Sequence, residues 1–383
     1  MLGDMLEIQN GYAFDSKDFN SSNGMPLIRI RSLKAGMENE TRFGGVYDKK
    51  YVVKAGDLLI GMDGEFGCYE WKGSPALLNQ RVCRLQGFAS ELLPRFLFYG
   101  VNSHLKAIED VTGYATVKHL SSKQILGIEF PLPPIPEQER IVGILDEAFE
   151  GIAAAKVSAE KNLQNARGLF ESHLQSVFTR RGPGWVEKPL GSFATFRNGI
   201  NYTKDSKGEH IKIVGVRNFQ KNFSAPLDDL DSVTIDGKLS ELDSLKPDDI
   251  LAVRSNGNIE LIGRCLLVGE VTDKISHSGF TIRIRLTPGE VLPSYLCHFM
   301  KSASSRKRLT EGGTGTNIKS LNQGMLSALA IPFPPVPAQK LIVEKLESLS
   351  EETQRLESIY QQKLAALEAL KRSLLHQAFT DKL

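Results

Sequence analysis

Four cysteines and seven histidines are the side chains of this 383-residue chain best suited to nucleophilic or metal chemistry, and their spacing supports neither. Zinc and redox sites place thiolates two to four residues apart, or histidines one helical turn apart. Cys68, Cys83, Cys265 and Cys297 make no such pair and stand in apolar or mixed contexts. They are expected to be reduced core thiols of a cytoplasmic protein. The histidines are scattered, and neither a phosphate-binding GxxxxGK[ST] loop nor a GxSxG elbow occurs. The nearest glycine-rich turn, Glu311 to Asn317, runs into Ile318-Lys319-Ser320 rather than a strand-flanked helix, and reads as a loop. No catalytic residue, metal or bound cofactor is expected.

Composition narrows the classes further. The net charge of +2 does not advertise a polyanion partner, so any such site must be a local patch on a balanced surface. No apolar run is long enough to span a bilayer, and Met1 to Gly11 lacks the basic and apolar regions of a secretory leader.

The elements that would position any site are written twice. The segment beginning at Pro131, PLPPIPEQERIVGILDEAF, returns at Pro332 as PFPPVPAQKLIVEKLESLS. Leu6 to Gly11 answers Ala194 to Gly199, and the run from Lys54 answers the run from Lys246. Spacing between the copies grows through the first part of the module and is then constant. A variable block is therefore followed by an invariant one.

Each invariant block reads as a long helix. The first should begin after Pro136, with Glu137 and Glu139 at the favourable end of its dipole, and stop at the Arg-Arg-Gly-Pro-Gly run from Arg180. The second should run from Ala338 towards Phe379. Apolar residues follow heptad spacing, through Ile141, Leu145, Ala148, Ile152, Ala155, Ala159, Ala166 and Leu169 in one. In the other they run through Ile342, Leu346, Leu349, Thr353, Leu356, Tyr360, Leu367, Leu370 and Leu374. An alanine-rich seam facing a leucine-rich one predicts an antiparallel coiled coil within one chain, with Asn162 and Lys363 as polar interruptions.

Each variable block reads as a mixed domain. Leu27 to Leu33, Asp57 to Met62 and Arg81 to Leu85 are short apolar or alternating runs bounded by glycine. So are Ile211 to Phe219, Asp249 to Gly257 and Phe280 to Leu286. These predict strands of a curved, barrel-like sheet. Helices are expected over Glu91–Ile108 and Ser294–Glu311. The fold class is thus α+β with an internal pseudo-two-fold repeat: residues 1–136 and 182–337 globular, residues 137–181 and 338–383 helical.

With these segments the whole chain resembles the DNA-specificity (S) subunit of type I restriction–modification systems. The resemblance is carried by LGDMLEIQNGYAFDSKDF from Leu2, DLLIGMDGEFG from Asp57, ALLNQRVCRL from Ala76 and TGYATVKHLSSKQILGIEFPLPPIPEQERI from Thr112. The second copy adds GWVEKPLGSFATFRNG from Gly184 and TNIKSLNQGMLSALAIPFPPVPAQKLIVEKL from Thr316. The resemblance implies two target-recognition domains on conserved helices, reading a bipartite, asymmetric DNA site. It also implies a non-catalytic subunit that recruits two modification (methyltransferase) subunits, and restriction (translocase–endonuclease) subunits in the full complex. S-adenosylmethionine would be used by the methyltransferase partner. In the first copy nothing answers the Gly184 to Pro189 segment, so an N-terminal strand or arm is expected to be absent there. A coiled-coil scaffold that binds protein, or the specificity subunit of a related system that cuts on both sides of its site, stands as an alternative.

Base reading calls for arginine at guanine, asparagine or glutamine at adenine, and acids at cytosine. Candidates in the first block are Asp63, Glu65, Asn79, Gln80, Arg81, Lys118 and His119. In the second they are Arg254, Asn256, Asn258, His277, Ser278, Asn317 and Lys319. Arg29 with Arg31, and Arg283 with Arg285, alternate as phosphate contacts or solvent-facing charges on a strand would. Phe178 and Phe379, at the helix ends, are expected to be exposed anchors for a partner subunit.

Overall fold

The computed structural model describes residues 1–35, 41–112, 118–219, 222–311 and 320–380. The chain divides into two compact units, one of residues 1–158 with 363–383 and the other of residues 159–362.

In the first unit, strands Glu7–Asn10, Val82–Gln86, Leu58–Gly61 and Gly67–Glu70 form an antiparallel sheet in that spatial order. Its central strand explains why the sequence there is continuously apolar rather than alternating. Leu58 and Ile60 face a layer containing Phe96, Leu97 and Leu105 of helix Pro94–Val111. Leu59 faces the other way, onto Trp71 and onto Ile28 and Leu78 of a second sheet. A strand buried on both faces has no solvent side to mark with polar residues. The second sheet joins Met25–Ile28 in parallel to Ala76–Leu78.

The second unit repeats this plan. Strands Ala194–Asn198, Thr281–Leu286, Ile250–Val253 and Cys265–Leu267 have the same order. Ile250 and Ala252 face the helices, and Leu251 and Val253 face the other sheet. There, His210–Val214 pairs in parallel with Ile275–His277. Among the described residues every sheet is open, which corrects the barrel-like expectation. Strand Val186–Pro189 pairs with Ala330–Phe333. The segment between Leu126 and Ile135 in the first unit carries no strand.

The long helices span Ile135–Thr179 and Val336–Ala378, 45 and 43 residues, or roughly 65 Å each at 1.5 Å per residue. Both start two residues earlier than expected, because Pro136 and Pro337 fit the first turn, where a proline removes no helical bond. Each start is clamped by a buried glutamine. Gln138 donates to the carbonyls of Glu91 (2.7 Å) and Pro133 (2.8 Å) and accepts from the Leu93 N–H (2.9 Å). Gln339 does the same with Glu290, Pro334 and Leu292 at 2.7, 2.8 and 2.9 Å. Both are 0% exposed.

The seams differ from the heptad reading. Leu163 and Leu364 are half-buried, while Asn162 and Lys363 are exposed and Leu169 and Leu370 are 60% and 48% exposed. The polar pair therefore does not interrupt a seam. A stripe held at 3.5 residues drifts on a helix of 3.6 per turn, and the buried line moves one residue along. Within the first unit Lys156 pairs with Glu368 at 2.8 Å. Within the second, Arg167 pairs with Glu357 at 3.1 Å.

Candidate functional site

The turn carrying Asn79, Gln80 and Arg81 is built by backbone. The Tyr12 N–H donates to the Leu78 carbonyl, and the Gln80 N–H to the Tyr12 carbonyl, both at 3.0 Å. That crossing passes so close that a Cβ on Gly11 would lie 2.0 Å from the Asn79 carbonyl oxygen. Glycine is required for this approach rather than for a turn. Gly199 holds the matching place in the second unit, with the Ser278 carbonyl oxygen 2.1 Å from such a Cβ.

Beside this turn Asp63, whose side chain is 8% exposed, accepts from Arg81 and lies 2.7 Å from His119 Nδ1. Arg81 and His119 point outward, with side chains 59% and 65% exposed. A buried carboxylate thus holds two exposed donors at one spot. A cleft of about 720 Å³ opens next to it, lined by Arg29, Arg31, Asn79, Gln80 and Arg81 together with Phe14 and Phe19. Its lining offers a concentration of guanidinium groups that the overall charge of the chain conceals. Arg29 stacks over the Phe19 ring at 5.6 Å. These two phenylalanines carried no signal in the sequence beyond ordinary core aromatics.

Other candidates have different surroundings. Arg29 and Arg31 do not alternate on a strand: the strand ends at Ile28 and helix Ile30–Ala35 follows. Ser32 Oγ accepts the Arg29 N–H at 2.8 Å, starting a helical turn where the pattern alone suggested extension. Lys118 is turned inward, its ammonium donating to the Glu109 carbonyl at 2.7 Å. Glu65 is exposed.

In the second unit Arg254 is half-buried, and Asn256 and Asn258 accept main-chain N–H groups of Asn258 and Glu260 at 2.8 and 3.0 Å. His277 and Ser278, candidates for base reading, are instead interior, 1% and 3% exposed. The His277 ring meets Thr281 Oγ1 at 2.9 Å. Arg283 is also interior, donating to the Leu242 carbonyl at 2.7 Å, and Arg285 is paired with Asp249. Asn317 and Lys319 lie outside the described residues. Phe178 is 4% exposed against Tyr295 and Phe299, and Phe379 packs on Phe96 and Phe130. The expected exposure of these anchors is therefore corrected. Each aromatic ring completes the core of its own unit, where burial contributes a few kcal/mol.

Burial, reinforced by the nearby Arg283 charge, holds the His277 pKa down to about 3. Above the ordinary value of 6.5 the ring is neutral in folded and unfolded chains alike, and its contribution is fully present. Below 6.5 the unfolded chain takes a proton that the folded one refuses, and stability falls until the pH approaches 3. Urea unfolding should show a loss of about 2 kcal/mol between pH 6.5 and 5 from this group. His277→Asn should flatten that part of the profile. His298, pushed down to about 4 by burial, supplies a similar slope that remains in the variant.

The described residues contain no cluster of side chains arranged to hold a metal ion, and no described helix is long and apolar enough to cross a membrane. All four cysteines are buried free thiols.

Comparison with known proteins places these surfaces in context. A family model described as the type I restriction modification DNA specificity domain matches residues 1–161 and 183–368. The chain is 27% identical to the type I restriction enzyme EcoBI specificity subunit of Escherichia coli, over all of this chain and 85% of that one. It is 23% identical to the StySPI specificity subunit of Salmonella potsdam, over 94% and 82% of the two chains. Two solved structures share the fold, each at 17% identity over all of this chain. One, described as "Structural basis underlying complex assembly and conformational transition of the type I R-M system", has a TM-score of 0.73 and 97% of its chain covered. The other, the HsdS subunit from Thermoanaerobacter tengcongensis, has a TM-score of 0.56 and 96% covered.

Proposed function

The chain belongs to the type I restriction–modification DNA specificity family, and from that premise we propose that each of its globular regions reads one half of a bipartite, asymmetric DNA site. It is a specificity subunit, non-catalytic in itself, that works on DNA with the other subunits of a type I system. The observation that carries the two-half reading is the repeated frame with unlike loops. Sheet order and glutamine clamp recur in both units, whereas Asp63, Arg81 and His119 have no charged counterparts in the second. A common frame with different exposed side chains fits two half-sites of different sequence.

The finer reading has residues 1–136 and 182–337 as target-recognition domains, with residues 137–181 and 338–383 as the conserved helices between them. The helices pair antiparallel around a pseudo-two-fold axis. Packing inside each unit supports this: in the first, Ile141 and Leu145 share a core with Leu374 and Ala378 while Lys156 pairs with Glu368, and in the second, Leu174 and Phe178 share a core with Val343 and Leu346 while Arg167 pairs with Glu357. The repeated clamp regions offer two equivalent docking surfaces, hence two methyltransferase subunits per chain, with restriction subunits joining in the full complex. S-adenosylmethionine is then used by the methyltransferase, and the assembly works in the cytoplasm.

Methylation mapping across the genome of a host expressing the chain with its modification subunit tests this reading. The expected motif has two different specified parts separated by an unspecified gap, and it disappears when the chain is omitted. A continuous or palindromic motif overturns it.

A further inference from the structure

Resting on that reading, we propose that Arg81 and Phe280 occupy one and the same specificity-determining position in the two recognition regions, Arg81 selecting a guanine and Phe280 a thymine. The equivalence comes from backbone bonding. The Met62 N–H donates to the Arg81 carbonyl at 3.0 Å, and the Arg254 N–H to the Phe280 carbonyl at 2.8 Å. Met62 and Arg254 in turn accept from the Leu120 and Leu321 N–H groups at 2.8 and 2.7 Å. Each position follows the glycine-crossed turn and directly precedes the strand second in its sheet's order, Val82–Gln86 or Thr281–Leu286. Both side chains leave the fold: Arg81 is 59% exposed and Phe280 62%.

The chemistry around the two differs in a matching way. Arg81 is held by buried Asp63, which also engages His119, and the arginine-lined cleft lies beside it. A guanidinium steadied at one edge keeps further N–H donors for the O6 and N7 acceptors that guanine shows in the major groove. In the second unit the residues bridged as Asp63 and His119 are Ser255 and Ser320. Neither supplies a charge, and the exposed side chain is an aromatic ring. Such a ring makes apolar contact with a thymine methyl and offers no hydrogen bond.

Methylation motifs mapped for the native chain and for Arg81→Lys, Arg81→Ala and Phe280→Arg, each with the modification subunit, decide the matter. Lysine keeps the charge and loses the fork. Both Arg81 variants should therefore lose preference for one guanine in one half-site, by roughly 5- to 150-fold, with the other half unchanged. Phe280→Arg should abolish preference for one thymine in the other half. Unchanged motifs, or a uniform weakening of methylation at every site, overturn the assignment and leave the bipartite reading standing. A native motif without two parts overturns the bipartite reading, and the effect of Arg81 on base preference is still read within whatever motif is found. All three substitutions are at exposed side chains, and circular dichroism of each variant in the assembled complex controls for folding.

Discussion

Replacing Gln138 by leucine should lower the stability of the first unit by about 3–5 kcal/mol. Leucine nearly matches the side chain in volume and makes none of its bonds. The Leu93 N–H and the carbonyls of Glu91 and Pro133 are left facing a buried apolar group. Each stranded main-chain group costs about 1–3 kcal/mol, partly relieved by relaxation. Gln339→Leu should weaken the second unit equally, through Leu292, Glu290 and Pro334. Urea unfolding followed by probes in each unit reads both effects. A loss below about 1 kcal/mol for either variant would show that the clamp is incidental to how the long helix is seated.

Exchanging residues 1–136 for the corresponding block of another family member should replace one half of the methylated site completely and leave the other half intact. The physical reason lies at the junction. Gln138 binds only main-chain atoms of the globular block, so the clamp itself is indifferent to that block's side chains. Arg95, which bonds Asp146 of the helix at 2.7 Å, must be present in the donor block or be restored. Methylation mapping of the hybrid checks the outcome. A change in both halves would mean that the two regions do not read independently.

How far these features could be read from sequence depends on whether a local pattern records them. The repeat, both long helices and the central strands are legible, because each is written as a period or as an apolar run closed by glycine. The fate of Arg29 and Arg31 is not, since one hydroxyl of Ser32 converts an alternating run into a helical turn. His277 and Ser278 sit in a polar stretch that looks like a loop, yet the parallel strand pairing carries it inside. Phe178 and Phe379 look exposed at helix ends because the pockets that receive them come from segments far along the chain. The link between Arg81 and Phe280 escapes alignment by residue type, since arginine and phenylalanine share only a hydrogen-bond register.

The division of the chain also sets an order of events during synthesis. The second unit is one unbroken stretch, residues 159–362, whereas the first is completed by residues 363–383. Leu374, Leu375, Ala378 and Phe379 pack into a core otherwise made by the first 149 residues. On the ribosome the region up to Phe149 must therefore wait for about 220 further residues, roughly 10–45 s at ordinary elongation rates. Throughout that interval the groove around Phe96 and Gly100 lacks the Phe379 ring that fills it in the finished unit, and the helical turns from Leu374 to Phe379 act as its closing latch.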